Sequence, residues 1–177
     1  MRYIIDFPEV RQSKNYTCGV SALQAILYFY GISYREDELE SLLHVTETNG
    51  TEVNAVVNFC RQLGFHVTTK SNMTISQLQD YIKHDRPVLV VYQAWGSSGN
   101  DYQNVWSEGH YSVIIGFDGN KIIFEDPSLI GKGYLTINNF LHRWHDIDSH
   151  GRQYNGFGII IDGKKVKYHS DIVQEIM

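Results

Sequence analysis

A segment that is apolar at almost every position, Val20–Tyr30, constrains the fold more than any other part of the chain. A helix that is apolar all round is stable only where protein surrounds it. Gly31 follows directly, and glycine is the residue type that most often ends a helix. We therefore expect a buried central helix within a single domain spanning residues 1–177, with a tail at 163–177 whose role the sequence does not assign.

The pattern of apolar residues changes at Pro87. Before it, three further helices are predicted at 34–45, 52–63 and 75–84; Thr51 is suited to cap the second, and Thr74 with Gln77 forms a capping box for the third. After it, short β-branched and aromatic runs predict extended segments. These lie at 88–92, 111–117, 121–125, 134–136, 157–162 and 165–169, with a helix near 138–145. Helices first and antiparallel strands afterwards predict an α+β domain.

The charge balance and the hydropathy pattern exclude several classes of protein. The chain has 15 basic and 20 acidic residues, a net charge of -5, so it lacks the basic excess of nucleic-acid-binding domains. It contains no apolar run near the ~20 residues of a membrane span. Asp6 and Pro8 interrupt the N-terminus too early for a signal peptide. We expect a cytoplasmic protein with no nucleic-acid partner and no membrane span, and the oligomeric state stays open.

The chain has two cysteines, too few for a disulfide framework, and they differ in position. Cys18 comes directly before the apolar helix, where unpaired N–H groups and the helix dipole stabilise a thiolate. Gly19 leaves room for a substrate carbonyl against the backbone. The alternative for Cys18 is a small buried residue at a helix start. Cys60 lies among apolar residues in the middle of a predicted helix, and we interpret it as a core residue.

A nucleophilic cysteine needs a histidine base, and His110 stands at the head of a predicted strand. A three-residue loop at 118–120 would place Phe117 opposite Lys121 and put Asp126 diagonally opposite His110, on the same face of the hairpin. Glu125 would then point the other way. An even-numbered loop or a β-bulge would instead put Glu125 on the face of His110 and turn Asp126 away. The alternatives are a surface histidine at a strand end and an aspartate that only forms a turn before proline.

The tetrahedral intermediate of acyl transfer needs a hydrogen-bond donor for its oxyanion. Gln12 lies six residues before Cys18, and its amide could converge with the backbone N–H of Cys18. The alternative is a solvated glutamine in a loop.

These residues resemble a known family. Gln12-x5-Cys18-Gly19 before an apolar helix is similar to papain-like cysteine peptidases. The stretch 109–117 (GHYSVIIGF), followed by 124–127 (FEDP), resembles the bacteriocin-processing peptidases that cut double-glycine leaders. The segments Gly50-Thr51, 63–65 and 86–90 are similar to the middle of that family, so the resemblance covers residues 5–162. Leader-cutting members are usually fused to an ATP-driven transporter; this sequence shows no such part, and we expect a free-standing member of the peptidase C39-like type.

The resemblance implies a papain-like fold, with the nucleophile at the start of the central helix and the helices packed on a C-terminal antiparallel sheet. It implies Cys18 as nucleophile, His110 as general base, Asp126 as the group that orients His110, and Gln12 as oxyanion donor. The expected activity is hydrolysis of a peptide or amide bond in a peptide or protein substrate, through a thioester. Acyl transfer through the same thioester and a catalytically silent binding module remain open alternatives.

Two further patterns have weaker interpretations. His142 and His145, with Asp146, Asp148 and His150, could hold a metal, but the spacing defines no third ligand, so we expect no metal and no cofactor. Four aromatic residues around a polar loop at 93–109 could line a substrate cleft or pack at the edge of the core; they are Tyr92, Trp95, Tyr102 and Trp106.

Overall fold

The helices lie mainly in the first half of the chain, and a computed structural model describes residues 2–95, 101–173 and Glu175. The predicted loop at 93–109 includes residues 96–100, which lie outside the described residues. The helices are α1 (Cys18–Phe29), α2 (Glu36–Leu42), α3 (Val53–Gln62), α4 (Ile75–Lys83) and α5 (Ile137–Arg143), with a 3₁₀ turn at Tyr102–Asn104. Among all the described residues, no helix has the length and apolarity to cross a membrane.

The predicted central helix is confirmed. Almost every residue of α1 is buried, including the polar Ser21 and Gln24, and the helix packs against α2 and the sheet. The Gln24 amide donates to the carbonyl of Tyr34, which satisfies a buried polar group that would otherwise destabilise the fold. Gly31 has a φ of 73°, a left-handed conformation that glycine adopts without strain.

The second half of the chain supplies most strands of an antiparallel sheet, and the first half adds the first two strands. The strands are β1 (Arg2–Ile4), β2 (His66–Lys70), β3 (Val88–Gln93), β4 (Gly109–Asp118), β5 (Lys121–Glu125), β6 (Gly133–Thr136), β7 (His145–Ile147), β8 (Gln153–Asn155) and β9 (Gly158–Asp162). The large sheet has the order β2-β9-β3-β4-β5-β6, with β1 also on β4, and β7 pairs with β8 separately. This arrangement confirms the α+β class.

The hairpin of β4 and β5 differs from the predicted one in a way that leaves the site unchanged. The loop has two residues, because Asp118 pairs with Lys121 and Phe117 pairs with Ile122. The predicted pairing of Phe117 with Lys121 is therefore wrong. A β-bulge between Ile114 and Gly116 then adds one residue to β4, so that Val113 lies opposite Glu125. Since the short loop and the bulge each shift the register by one residue, the two shifts cancel at the end of the hairpin where His110 stands.

Two local predictions are corrected. The N-terminal cap of α3 is Glu52, and Thr51 makes no capping hydrogen bond. Residues 165–169, predicted as extended, form no strand; instead the N–H groups of Lys167 and Tyr168 donate to the carbonyl of Phe29 at the end of α1. The tail thus supplies donors to a helix end that would otherwise leave carbonyl groups unpaired.

Candidate active site

His110 and Asp126 form a buried ion pair where β4 begins and β5 ends. His110 Nε2 lies 3.1 Å from Oδ1 and 3.0 Å from Oδ2 of Asp126, and both residues are almost fully buried. Glu125, the neighbouring carboxylate, points away and accepts the Val10 N–H at 2.8 Å instead. The alternation of side chains along β5 therefore gives only one of the two acids to His110.

Two further donors hold the Asp126 carboxylate. The Tyr92 hydroxyl donates to Oδ2 at 3.0 Å, and the Ser128 N–H donates to Oδ1 at 2.9 Å. Burial raises the pKa of Asp126, but these hydrogen bonds and the His110 ring outweigh it and hold the pKa below its usual 3.8. Asp126 is therefore a carboxylate at neutral pH and does not share the proton of the imidazole.

The thiol of Cys18 faces the same histidine. Burial on its own lowers the pKa of His110, but hydrogen bonds with Asp126 and with the Cys18 side chain raise it to about 9. Because Nε2 contacts Asp126, Nδ1 is the ring atom left for the sulfur. Cys18, the first residue of α1, is only partly buried.

The turn before Cys18 is fixed by a carboxylate from α2. Glu36 accepts hydrogen bonds from the Ser13 N–H at 3.0 Å, the Thr17 hydroxyl at 2.6 Å and the Ser21 hydroxyl at 3.2 Å. Burial raises the pKa of Glu36, but these donors together bring it below its usual value. Glu36 thus holds the chain on both sides of Cys18. In the sequence it looked like one of several acids in the first turn of a surface helix.

Gln12 lies in the loop that leads to this turn. Its Nε2 donates to the Lys14 carbonyl at 2.7 Å, and its Oε1 accepts the Ser128 hydroxyl at 2.7 Å. Its backbone N–H donates to the Pro127 carbonyl. Since Ser128 also binds Asp126, Gln12 joins the loop before Cys18 to the loop after Asp126. One N–H of its amide is used by Lys14, which leaves the other for a ligand.

A cavity of ≈ 260 Å³ opens beside Cys18, and Tyr111, Trp106 and Asp146 contribute to its walls. Of the four aromatic residues predicted around the polar loop, only Trp106 lines this cavity. Tyr92 is buried, and Tyr102 stacks on the guanidinium of Arg143 with the Cζ atom 3.4 Å from the ring centroid. Trp95 is half exposed and meets the His110 ring edge-on, 5.8 Å between centroids.

The histidines considered for a metal separate in the structure. His145 Nε2 contacts the Val105 carbonyl at 2.8 Å, and its ring lies 4.5 Å from that of Trp106. His150 instead joins Glu52 and Asp148, with ligand atoms within 4.8 Å of one another. Glu52 was absent from the sequence hypothesis because it lies almost 100 residues before His150.

Comparisons with known proteins identify similar sequences. A sequence model described as the Peptidase_C39 like family matches residues 4–151. An uncharacterized protein of Methanothermobacter thermautotrophicus is 24% identical over 128 residues, which are 72% of this chain and 75% of that protein.

Two solved structures share the fold. A putative C39-like peptidase from Bacillus anthracis has a TM-score of 0.69 and 15% identity, with 93% of this chain and 100% of that chain covered. The peptidase domain of Streptococcus ComA, a bi-functional ABC transporter, has a TM-score of 0.64 and 21% identity, with coverage of 88% and 97%. These likenesses show the fold of C39 peptidase domains and so confirm the papain-like α+β class. Because the family match also covers most of the sequence, the chain belongs to the Peptidase_C39-like family.

Proposed function

We propose that this protein is a cysteine peptidase in which Cys18, His110 and Asp126 form the catalytic triad. Membership of the Peptidase_C39-like family supports a papain-like cysteine peptidase in general. The observation that carries the finer proposal is the His110 ring, held by Asp126 on one side and coupled to the Cys18 thiol on the other. A cysteine, a base and a group that orients the base are the parts required for nucleophilic catalysis.

In the proposed reaction, the Cys18 sulfur attacks the carbonyl carbon of a peptide bond after its proton has passed to His110. The imidazolium then donates that proton to the leaving amine, and a thioester to Cys18 remains. His110 next takes a proton from water, which attacks the thioester and releases the acid and the thiol. Asp126 stays ionised throughout, since it keeps the Tyr92 and Ser128 donors besides the His110 ring.

The oxyanion of the intermediate is proposed to receive the Cys18 backbone N–H and the second amide N–H of Gln12. The first N–H groups of a helix have no acceptor within it, so the N-terminus of α1 offers a donor beside the sulfur. The hydrogen bond to Ser128 supports the Gln12 part of the proposal, because it fixes the amide oxygen and therefore the direction of the nitrogen.

The pH dependence of alkylation by iodoacetamide tests the ion pair. A thiol without a partner loses reactivity about tenfold per pH unit below its ordinary pKa of about 8.5. We expect Cys18 to keep most of its reactivity at pH 6 in the unmodified protein and to lose at least about tenfold there in His110→Ala. Cys60 does not compete, because it is fully buried and burial raises its pKa to about 12.

Cys18→Ala is the control for residual labelling. If Cys18 reacts like an ordinary thiol at every pH in both the unmodified protein and His110→Ala, the catalytic proposal fails and a binding role replaces it. With a reactive pair established, peptide cleavage in the presence of added amines separates hydrolysis from acyl transfer, since an amine that captures the thioester appears in the product.

A further inference from the structure

The cavity beside Cys18 is negatively charged. Its lining includes the carboxylates of Glu52, Asp146 and Asp148 and, among the described residues, no lysine, arginine or histidine. At ≈ 260 Å³ the cavity is much larger than the ~30 Å³ share of one water molecule, so it can hold a long side chain. Carboxylates around a concave site with protein walls concentrate cations there.

A buried hydroxyl in the same lining has no partner. Thr51 is only 7% exposed, and its Oγ1 atom makes no hydrogen bond within the described part of the chain. Thr51 packs directly on Gly19, where a Cβ atom would lie 2.7 Å from this oxygen. Because this oxygen is covered by protein atoms, Thr51 closes the wall of the cavity against Gly19, and the carboxylates of the lining are the groups available to a cation.

Asp146 is held in the cavity wall by neighbours that suit an ionised carboxylate. The buried Gln93 side chain donates to its Oδ1 at 3.0 Å, while the Gln93 oxygen accepts the Glu108 N–H at 2.8 Å. Gly109 is needed there, because a Cβ atom would lie 2.6 Å from Oδ1. Burial raises the pKa of Asp146 to about 6, so the carboxylate is mostly ionised at pH 7.5 and gains from a cation beside it.

The rim of the cavity could instead bind a metal through Glu52, Asp148 and His150. Three of the roughly four acceptor sites of the Asp148 carboxylate are already used, since its oxygens accept the His150 N–H, the Arg152 N–H and the Tyr154 hydroxyl at 2.9 Å each. Glu52 accepts the Ser149 hydroxyl, and His150 is exposed. These contacts build a turn, and they leave the acidic cavity below it for an organic cation.

We infer that this cavity binds a cationic side chain of the substrate, a lysine or arginine close to the bond that is cleaved, through the carboxylates of Asp146 and Glu52. The inference rests on the proposed function, since it gives the substrate of the same site a chemical class. The flat part of a guanidinium or the methylene stem of a lysine would lie against Trp106 and Tyr111, which line the cavity.

Labelling of Cys18 by methanethiosulfonate reagents of different charge tests the inference. The 2-aminoethyl reagent carries the ammonium group of a lysine, the 2-sulfonatoethyl reagent is an anion, and the methyl reagent is neutral. Rates are divided by those of the same reagents with 2-mercaptoethanol, in EDTA so that no metal bound to the rim contributes. Because carboxylates at distances of several ångströms attract a cation and repel an anion, we expect the cation to react at least about tenfold faster than the anion. The positive His110 ring acts in the opposite direction, which makes the test stringent.

Conservative variants assign the effect to the cavity. Asp146→Asn and Glu52→Gln keep their hydrogen-bond acceptors and should each reduce the cation-to-anion ratio about threefold. Glu47 is an exposed carboxylate in the loop that leads to Glu52, and Glu47→Gln should leave the cation-to-anion ratio unchanged.

Failure of the inference can be distinguished from failure of the proposed function. One outcome is that labelling by the neutral methyl reagent depends on His110 while the cation-to-anion ratio of the normalised rates is one. In that case the cationic site is overturned and the peptidase proposal stands. If labelling by the neutral reagent is the same in His110→Ala, the peptidase proposal falls and the inference falls with it.

Discussion

Tyr92 donates a hydrogen bond to Asp126 from outside the proposed triad. It lies directly across from His110 in the pairing of β3 with β4, so the two side chains share a face of the sheet. Its ring stacks on Phe124 with 5.5 Å between centroids, which fixes the direction of the hydroxyl. Burial raises the pKa of Tyr92 far above 10, so the hydroxyl stays protonated and acts as a donor to Asp126. We infer that Tyr92 positions the orienting carboxylate.

Tyr92→Phe should therefore change the pH profile of the site. A hydrogen bond to a charged group contributes about 1.5 kcal/mol or more, equivalent to roughly one pKa unit. Without it Asp126 takes up a proton at higher pH and releases His110, so the acidic limb of Cys18 alkylation should move up by about one pH unit.

Tyr30→Phe is the matched control for that change. It also removes a buried hydroxyl, one that donates to the Ile161 carbonyl at 2.8 Å far from the site. It should lower the free energy of unfolding and leave the pH profile of alkylation unchanged. If both variants leave the profile unchanged, Tyr92 has only a structural role.

At the scale of the elements, the antiparallel pairing of β1 with β4 fixes the bulged end of the central hairpin. Gly116 pairs with Ile4 on one side and with Ile123 on the other, next to the bulge. A Cβ atom at this position would lie 2.6 Å from the Tyr3 carbonyl oxygen and 2.9 Å from the Ile4 Cα. Because both atoms belong to the backbone, no rotamer change relieves the clash.

Gly116→Ala should lower the free energy of unfolding by about 1–3 kcal/mol, the range for overpacking a close contact. Chemical denaturation measures it. Gly119→Asn is the comparison, since Gly119 has a φ of 60° with no atom near its Cβ position, and asparagine tolerates that conformation. Equal stability of Gly116→Ala and the unmodified protein would show that β1 moves aside easily.

The hairpin also shows how far the sequence could predict this site. Alternating apolar residues fixed the strands, and Asp126 was assigned to the face of His110 from the loop length alone. That loop length was wrong, because Gly119 with a positive φ closes a two-residue turn that the residue types did not require. Gly116 inside a strand was the available signal for the bulge.

Contacts between distant segments could not be predicted in the same way. Glu36 meets the turn before Cys18 across about 20 residues, and Asp146 reaches the cavity from a short strand, β7, which the sequence did not indicate. Both depend on how whole elements pack, and neither changes the local pattern of apolar residues. The local sequence likewise predicted Thr51 as a helix cap, because the packing of Thr51 on Gly19 leaves no signal in the residues around it.

At the scale of the whole molecule, the two halves of the chain meet along the segment before α1. Val10 donates to Glu125, Gln12 donates to the Pro127 carbonyl, and the tail residue Ser170 donates to Asp6. These contacts tie the loop before Cys18 and the tail to the rest of the fold. They support our proposal that the chain forms one domain with the tail as part of it.

Glu125 makes this junction sensitive to pH. Burial raises its pKa from 4.5 to about 7, with a smaller contribution from nearby Glu9, while the Val10 N–H and Lys132 oppose the shift. A carboxyl whose pKa is higher in the folded state binds its proton more tightly there. Its stabilising effect is therefore complete below about pH 4.5 and is lost as the pH rises through 7.

Glu125→Gln should remove this dependence, because the amide oxygen can still accept the Val10 N–H but carries no charge. We expect the variant to be more stable than the unmodified protein by about 1–3 kcal/mol at pH 8 and to show no such gain at pH 4.5. Denaturation at a series of pH values gives both curves, and Glu47→Gln, on an exposed side chain, should follow the unmodified protein. Parallel curves for Glu125→Gln and the unmodified protein would mean that Glu125 titrates as it does in the unfolded chain. The junction would then owe its stability to the backbone hydrogen bond of Gln12 and to packing, neither of which depends on pH.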